Sequence, residues 1–430
     1  MRKQILALAL SVAVCGALLS DTALAAEAPS AMDTAISAAG GTGQSTAYKE
    51  LYPEDAEGTV SFENLESRVR KNFTTLKMLD ESIASINEID FDKMYDDLRK
   101  NLNQIARAQH GMMQLNSLPS DNPYYQPLDS YTYGTLSSTY DSLKDTFEDM
   151  KDGKVQDDYA AAKRQLENAE NQAVIGAESL YMALLELQNT RAGLQRQLEA
   201  MDRSVQEMEL RYQLGQISAL TLQQVKDGRT QLSSAVATLE MNLASYTRQM
   251  QMMLGLEQTG VLTLGEVPKL VPGQLSKMDC ERDLAAAKEK SYALFAAQRD
   301  LEDAKEAYDD TCDQHGHNGY MAKSAAHTLQ AAEYTYQSSV ENYELNFRAM
   351  FAAVADYQQV LEAAESALAY QQKSCDSTAL KYQQGTISKN TLLTAQDDLA
   401  QAQDAVATAH HNLFTAYHTY LWAVEYGILN

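Results

Sequence analysis

Two similar stretches of this chain decide its fold. RYQLGQISALT occupies residues 211–221, and KYQQGTISKNT occupies residues 381–391. The two stretches lie 170 positions apart. The same offset aligns AVAT at 235–238 with AVAT at 405–408. One gapless offset over roughly 30 residues indicates an internal duplication.

Each stretch has the parts of a tight turn between two helices. Gly215 and its counterpart Gly385 suit the position just past a helix end, where φ becomes positive. Ser218 and its counterpart Ser388 suit the N-cap of the returning helix. The basic residue that opens each stretch ends the incoming helix, where a cation complements the helix dipole. From these residues alone, a purely structural hairpin explains the pattern as well as a functional one does.

Long helices flank both turns. The apolar spacing predicts helices over 155–213, 218–254, 283–311, 325–384 and 388–426. Loops are predicted at 312–320 (CDQHGHNGY) and at 113–134, where Pro, Asp, Asn and Ser are frequent. The chain has 7 prolines in all, and none follows Pro272. We predict an all-α fold in which one long helix packs antiparallel against two shorter helices stacked end to end. A rod of that kind leaves alanine-rich faces uncovered, which predicts lateral self-association.

The N-terminus predicts export. Two basic residues precede an apolar run from Ile5 to Leu19, and Ala-Leu-Ala at 23–25 is a small-x-small cleavage signal. No other stretch reaches the length of a spanning helix. The predicted organisation is a signal peptide (1–25), a flexible lead-in (26–58), a first repeat (59–255, with an insert at about 86–154), a crossover segment (256–279, with a short strand at 261–264) and a second repeat (280–430).

Composition excludes several functional classes. The chain carries a formal net charge of −24 at pH 7, which argues against a nucleic-acid partner because phosphate contacts need cations. No nucleophile elbow, phosphate-cradling loop or HExxH pattern is present. We therefore expect neither an enzyme nor a cofactor.

Three further groups of residues are candidates for a site or for a packing face. Cys312, His315 and His317 are a weak metal candidate, because their spacing matches no standard zinc pattern. His410 and His411 are interpreted as surface residues. The stripe that begins at Phe414 is interpreted as a packing seam, and its other members are Tyr417, Leu421 and Val424.

The two copies of [RK]-Y-x-x-G-x-I-S-x-x-T-L, each followed by an alanine-rich helix, resemble the TolC-type outer-membrane efflux proteins. The resemblance covers most of the chain from about Phe62. It implies a homotrimer whose helices form a hollow α-barrel, with the turns at the tip of the barrel. It also implies that the tips dock the adaptor (membrane-fusion protein) of an inner-membrane pump of the ABC or RND type. The implied docking residues are Arg211, Tyr212, Gly215, Ser218, Lys381, Tyr382, Gly385 and Ser388.

The sequence departs from this family at the far end of each repeat. Family members insert a β-hairpin there, and three subunits together build a transmembrane β-barrel whose strands each need about 9–11 residues. Residues 312–320 are too few for two strands, and residues 113–134 carry three prolines and no clean alternation. We expect the β-barrel to be absent or vestigial in this chain.

A second departure concerns the entrance. Family members often carry acidic residues just after the second turn, and the matching positions here hold threonines. The candidates for lining the lumen or entrance are Thr391, Thr394, Asp397 and Asp398, with a solvated outer face as the alternative.

Two functions remain open. The first is the exit duct of an efflux or type I secretion assembly. The second is a structural or adhesive coiled-coil spacer of the cell envelope without transport. The expected location is the cell envelope, associated with the outer membrane if the chain follows the family and otherwise extracytoplasmic or at the cell surface.

Overall fold

The computed structural model describes residues 55–56, 58–258, 260–270 and 272–429. The predicted signal peptide and most of the predicted lead-in lie outside these residues. The helices are α1 (Phe62–Asn72), α2 (Thr74–Asn87), α3 (Phe91–Asn116), α4 (Ser130–Lys151), α5 (Lys154–Gln213), α6 (Ala219–Met253), α7 (Pro272–Leu275), α8 (Cys280–Lys290), α9 (Tyr292–His315), α10 (Tyr320–Gln383) and α11 (Lys389–Tyr426). Two short strands, β1 (Thr59–Val60) and β2 (Thr263–Leu264), pair in parallel.

The chain divides into two compact units. The first comprises residues 78–170 among those described, and its main feature is the antiparallel pair α3 and α4. Tyr95 on α3 stacks on Phe147 of α4 with ring centroids 4.7 Å apart. Near the connection, the Tyr133 hydroxyl donates to the Met113 sulfur at 3.5 Å. These contacts join the two helices at both ends of the pair.

Among the described residues, the second unit contains those before Met78 and those after Glu170. In it, α5 lies between α6 and α11. On one side Arg229 of α6 bonds Asp202 of α5 at 2.6 Å. On the other side Arg203 of α5 pairs with Asp397 of α11. Because α10 packs on α11 in turn, the neighbour order is α6, α5, α11, α10.

A hydrophobic core joins α8, α9, α10 and α11, far from the turns along each helix. The stripe predicted as a packing seam lies in or against this region: Phe414, Tyr417 and Leu421 are buried, and Val424 packs against the cluster. That prediction is confirmed. Burial of such side chains is worth about 1.5–3 kcal/mol each, so this end of the helices carries much of the stability.

A second buried cluster surrounds the strand pair. The Tyr181 hydroxyl donates to the Gly265 carbonyl at 2.8 Å and lies 3.1 Å from the Val60 carbonyl. Phe62 packs edge-on against Tyr181, with ring centroids 5.6 Å apart. Burial raises the pKa of Tyr181 well above its usual range. This hydroxyl therefore stays protonated and bridges β1 to the residue after β2.

The duplication extends to a helix break that sequence patterns missed. The 11-residue helices α1 and α8 both end at a residue in extended conformation, Phe73 (φ −68°, ψ 119°) and Ser291 (φ −60°, ψ 120°). A glycine approaches each break: a β-carbon at Gly255 would lie 3.0 Å from Asn72 Cβ, and one at Gly427 would lie 2.3 Å from the Ser291 nitrogen. The returning helix of each repeat therefore ends against the break.

Four sequence predictions need correction. The helix predicted over 283–311 is two helices, because it breaks at Ser291. The loop predicted over 312–320 is shorter, since α9 continues to His315 and only residues 316–319 connect it to α10. Likewise, α3 and α4 extend into the predicted loop at 113–134. His410 and His411 are half-buried, so their interpretation as surface residues is wrong.

The predicted helices around the two turns are confirmed within a few residues. The all-α fold of long antiparallel hairpins is likewise what the structure shows. Among the helices formed by the described residues, none is sufficiently long and apolar for a membrane span.

Candidate functional site

The two turns have the same backbone geometry. Gly215 and Gly385 have φ of 71° and 73°. The Gly215 N–H donates to the Tyr212 carbonyl at 2.9 Å, and the N–H of the next residue donates to the Arg211 carbonyl at 2.8 Å. The second turn repeats both bonds, to Tyr382 at 2.9 Å and to the residue before it at 3.0 Å. This is a Schellman arrangement, which satisfies the last carbonyls of the incoming helix.

The predicted N-caps are confirmed. Ser218 Oγ accepts the Thr221 N–H at 3.1 Å, and Ser388 Oγ accepts the Thr391 N–H at 3.2 Å. In both turns the serine and threonine hydroxyls also lie 2.9 Å apart. The second copy thus repeats the cap of the first, and the two turns present the same backbone surface.

One acidic residue joins the two turns. Glu207, one helical turn before the first tip, accepts from the Arg211 guanidinium. Its other carboxylate oxygen accepts from the Asn390 side-chain amide of the second tip at 3.3 Å. The tips of the two hairpins therefore lie side by side in one chain and form a single surface.

The surface around the tips carries exposed apolar side chains. In the first tip, Leu214 is 63% exposed and Leu220 is 70% exposed. The second tip has Gln384 and Asn390 at the equivalent positions. Both copies retain the tyrosine, and Tyr212 and Tyr382 are both exposed. Exposed apolar groups gathered at one place mark interaction surfaces, and the first tip offers more of them.

The structure brings the predicted docking residues together at the two adjacent tips. The glycines and serines among them shape the turns through the backbone and the N-caps. Of the predicted lumen or entrance candidates, Thr391 places its hydroxyl against that of the N-cap residue Ser388, and Thr394 is exposed. Asp398 is exposed, whereas Asp397 is half-buried and pairs with Arg203 between α5 and α11. Asp397 therefore holds the two helices together.

The metal candidates are not assembled into a site. Cys312 is buried within α9, and His315 ends that helix. Within the part of the chain that the structure describes, no three His, Cys, Asp or Glu side chains are placed to hold a metal ion.

The titratable groups with strongly shifted pKa values lie far from the tips along the helices. Burial lowers the pKa of His418 well below its usual value. Burial, followed by a hydrogen bond to Asp283, raises the pKa of Tyr420 well above its usual range. Burial also raises the pKa of Tyr343 to about 12. These groups are parts of the hydrophobic core and its edge, so they point to packing rather than to proton transfer.

Comparison with known proteins gives similarity of fold only. No protein-family model matches the chain, and no curated protein matches it. Among solved structures, the chain is similar to the outer membrane protein VceC from Vibrio cholerae, with a TM-score of 0.44 and 12% identity over 84% of this chain and 95% of that one. It is also similar to a membrane protein from Pseudomonas aeruginosa (TM-score 0.46, 14% identity, covering 94% and 95%). A third is the MtrE outer membrane channel from Neisseria gonorrhoeae (TM-score 0.41, 13% identity, covering 85% and 89%). At these scores the similarity assigns neither a membrane nor a substrate to the chain.

Sequence reasoning missed Glu207 and the exposed leucines of the first tip. Glu207 precedes Arg211 by four residues, which is the spacing of a helical ion pair. Its contact with Arg211 could therefore be predicted from the sequence. Its bond to Asn390 could not, because it depends on how two hairpins pack across 183 positions of sequence. For Leu214 and Leu220, the sequence signal was the presence of apolar residues in a turn, where side chains are expected to be exposed.

Proposed function

We propose that this chain is an exit-duct component of an efflux or type I secretion assembly. Three copies form a helical conduit in the cell envelope, and its hairpin tips dock an adaptor that links it to an inner-membrane pump of the ABC or RND type. The observation that carries the proposal is the tip surface: two turns of the same geometry, adjacent in one chain and joined through Glu207 to Asn390. A hollow wall made of hairpins needs such repeated turns at one end.

The composition of the tip surface supports docking. A solvated structural turn gains nothing from leaving Leu214 and Leu220 more than half exposed, because burying apolar area is favourable at about 25 cal/mol per Å². A partner that covers them recovers that free energy. The basic residues Arg211 and Lys381 end the two incoming helices and give the partner a charge to recognise. In a chain with a net charge of −24, cations at both tips favour an acidic docking surface.

Charge reversal at both tips tests the proposal. The variant Arg211→Glu/Lys381→Glu keeps both turns but places like charges opposite an acidic partner surface. Each reversal costs the fold about 0.3–1 kcal/mol through the helix dipole. Arg211→Glu also loses the exposed pair with Glu207, which is worth about 0.2–1 kcal/mol. The matched control is Lys305→Glu/Lys323→Glu, which reverses two exposed cations away from the turns.

Capture after cross-linking in the source cells, followed by mass spectrometry, is the measurement. We expect an adaptor with the wild-type chain and the control variant, and its loss with the tip variant at an unchanged melting temperature. Equal adaptor capture by the folded tip variant, or capture of no adaptor by the wild-type chain, would favour the envelope spacer instead.

A further inference from the structure

We infer that copies of this chain join through a defined seam, in which α6 of one copy packs antiparallel against α10 of the next, with Asp227 facing Lys373 and Thr238 facing Asp356. This inference deepens the proposed function by naming the contact that closes the conduit. It follows from the duplication and from which helix faces a single chain leaves uncovered.

The internal seam between α5 and α11 supplies the pattern. Arg203 of α5 pairs with Asp397 of α11. Nearer the core, the Thr408 hydroxyl of α11 lies 3.4 Å from both carboxylate oxygens of Glu186 on α5. All four side chains are half-buried. The two contacts fix how an outgoing helix of one repeat lies against the incoming helix of the other.

The duplication carries both contacts onto a second pair of helices. At the offset of 170 positions, Arg203 corresponds to Lys373 of α10, and Asp397 corresponds to Asp227 of α6. Glu186 and Thr408 likewise correspond to Asp356 and Thr238, which appear in the same two helices. Cation faces acid and acid faces threonine in both sets. The chemistry of the seam is therefore present twice, although one chain uses it once.

Solvent exposure distinguishes the helix faces of the internal seam from the corresponding faces of α6 and α10. Ten positions of α10, spaced alternately four and three residues apart from Leu345 to Ser377, are all exposed. Their counterparts on α5, from Ile175 to Glu207, are all half-buried or buried. A stripe at this spacing is the contact face of a packed helix. On α10 that face is uncovered by the residues that the structure describes.

The matching face of α6 is uncovered as well. Eight positions at the same spacing from Asp227 to Met252 are exposed, and they include Met241 at 73% and Met252 at 50%. Seven of their eight counterparts on α11 are half-buried or buried, with Gln401 as the exception. Since the neighbour order in the chain is α6, α5, α11, α10, these two faces lie on the outer helices of the order.

The charges on the two faces are complementary, which favours a second copy of this chain as the binding partner. The α6 face presents the acid Asp227 where the α10 face presents the cation Lys373, and both residues are exposed. Among the described residues, Asp227 accepts a bond from Gln223 of its own helix at 2.8 Å. Pairing the faces in the register of the internal seam brings these opposite charges together and covers Met241. Repetition of that contact around an axis closes a ring.

Other internal contacts are not repeated, and one of them supplies a test. Arg196 pairs with Asp404 in the internal seam, and the corresponding residues are Ser366 and Ser234. The inferred register places these serines opposite each other on neighbouring copies. The Glu207–Asn390 contact corresponds to Ser377 and Leu220, so the outer seam lacks the bond that joins the tips within a chain.

Cross-linking tests the register. The variant Ser234→Cys/Ser366→Cys is treated with a bismaleimide that spans the usual helix separation of about 8–10 Å. The matched control is Ser233→Cys/Ser366→Cys, in which the first thiol is turned about 100° around α6. We expect covalent oligomers of the first variant, with the 234–366 link between copies identified by mass spectrometry, and little of that product from the control. The native cysteines are accounted for by the wild-type chain treated in the same way.

Charge exchange provides a second readout that needs no thiol. We expect Asp227→Lys or Lys373→Asp alone to shift the light-scattering mass downward at a concentration where the wild type is assembled. The exchange of both should restore it. Asp398→Lys is the control, because it reverses an exposed acid outside the seam.

Absence of the 234–366 link in an assembled protein, equal links in both cysteine variants, or a monomeric wild-type chain would overturn the inference. Failure of the proposed docking gives a different result: the link forms, but no adaptor is captured.

Discussion

Glu207 lies one helical turn before the first tip and accepts a hydrogen bond at 3.3 Å from Asn390, which follows the second tip. The same carboxylate also holds Arg211. This residue therefore couples the basic end of one hairpin to the first turn of the other. A single carboxylate thus contacts both tips.

Removing that carboxylate should loosen the pair of tips without unfolding the chain. Spin labels at Leu214 and Gln384, both exposed, should report a broader distance distribution in Glu207→Ala than in the wild type. The control is Glu209→Ala, which breaks the exposed pair with Lys226 on the other side of α5. Exposed pairs are worth about 0.2–1 kcal/mol, so both variants should melt close to the wild type. An unchanged distribution in Glu207→Ala would show that packing alone fixes the tips.

The turn glycines should be sensitive to conformation and not to volume. A β-carbon at Gly385 would meet nothing within 4 Å, so Gly385→Ala strains only the positive φ and should cost about 1 kcal/mol. Gly385→Asn should cost less, because asparagine tolerates this conformation better. Denaturant unfolding measures both. Equal costs for the two variants would mean that the left-handed conformation is not what selects glycine here.

Gly427 should be far less tolerant than Gly385. It has a similar φ of 69°, but a β-carbon there would lie 2.3 Å from the backbone nitrogen of Ser291. Its carbonyl also accepts from the Tyr343 hydroxyl at 3.2 Å. Strain and overpacking combine, so Gly427→Ala should cost about 3 kcal/mol or more. If it melts like Gly385→Ala, the close approach to Ser291 is not a constraint in solution.

Acid should destabilise the fold through His418. This ring is fully buried, and neither of its nitrogens has a hydrogen-bond partner among the described residues. Phe414 and Phe62 pack against it. On the same helix, Trp422 donates to the buried Glu178 at 2.9 Å. Burial holds the pKa of His418 well below 6.5 in the folded chain.

The unfolded chain therefore binds a proton below about pH 6.5 that the folded chain does not bind. The free energy of unfolding should fall by up to about 1.4 kcal/mol per pH unit in that range, and this loss should be absent above it. His418→Phe should remove this part of the slope between pH 7.5 and 5, whereas His327→Phe, which replaces an exposed histidine, should keep it. The same slope in both variants, measured by denaturant titration, would exclude His418 as its source.

The sequence predicted the elements that local patterns specify. Glycine at positive φ and serine at the N-cap are short-range signals, so both turns and their flanking helices were placed within a few residues. The break at Ser291 was missed because nothing next to Ser291 requires it. It coincides with the approach of Gly427, which lies far away in sequence.

The two-residue strand β1 is too short to produce a pattern of alternation. The short strand predicted at 261–264 is present, but only as the two residues of β2. Burial of His410 and His411 also depends on neighbouring helices rather than on α11 itself. The candidate site divides in the same way, since its turns could be predicted from sequence and the contact between Glu207 and Asn390 could not.

Electron microscopy of the purified chain tests the conduit most directly. If α6 of each copy packs on α10 of the next, end-on views should show hollow rings of three copies, with both tips of every copy at one end. Isolated copies at micromolar concentration, or closed bundles with no lumen, would contradict the account.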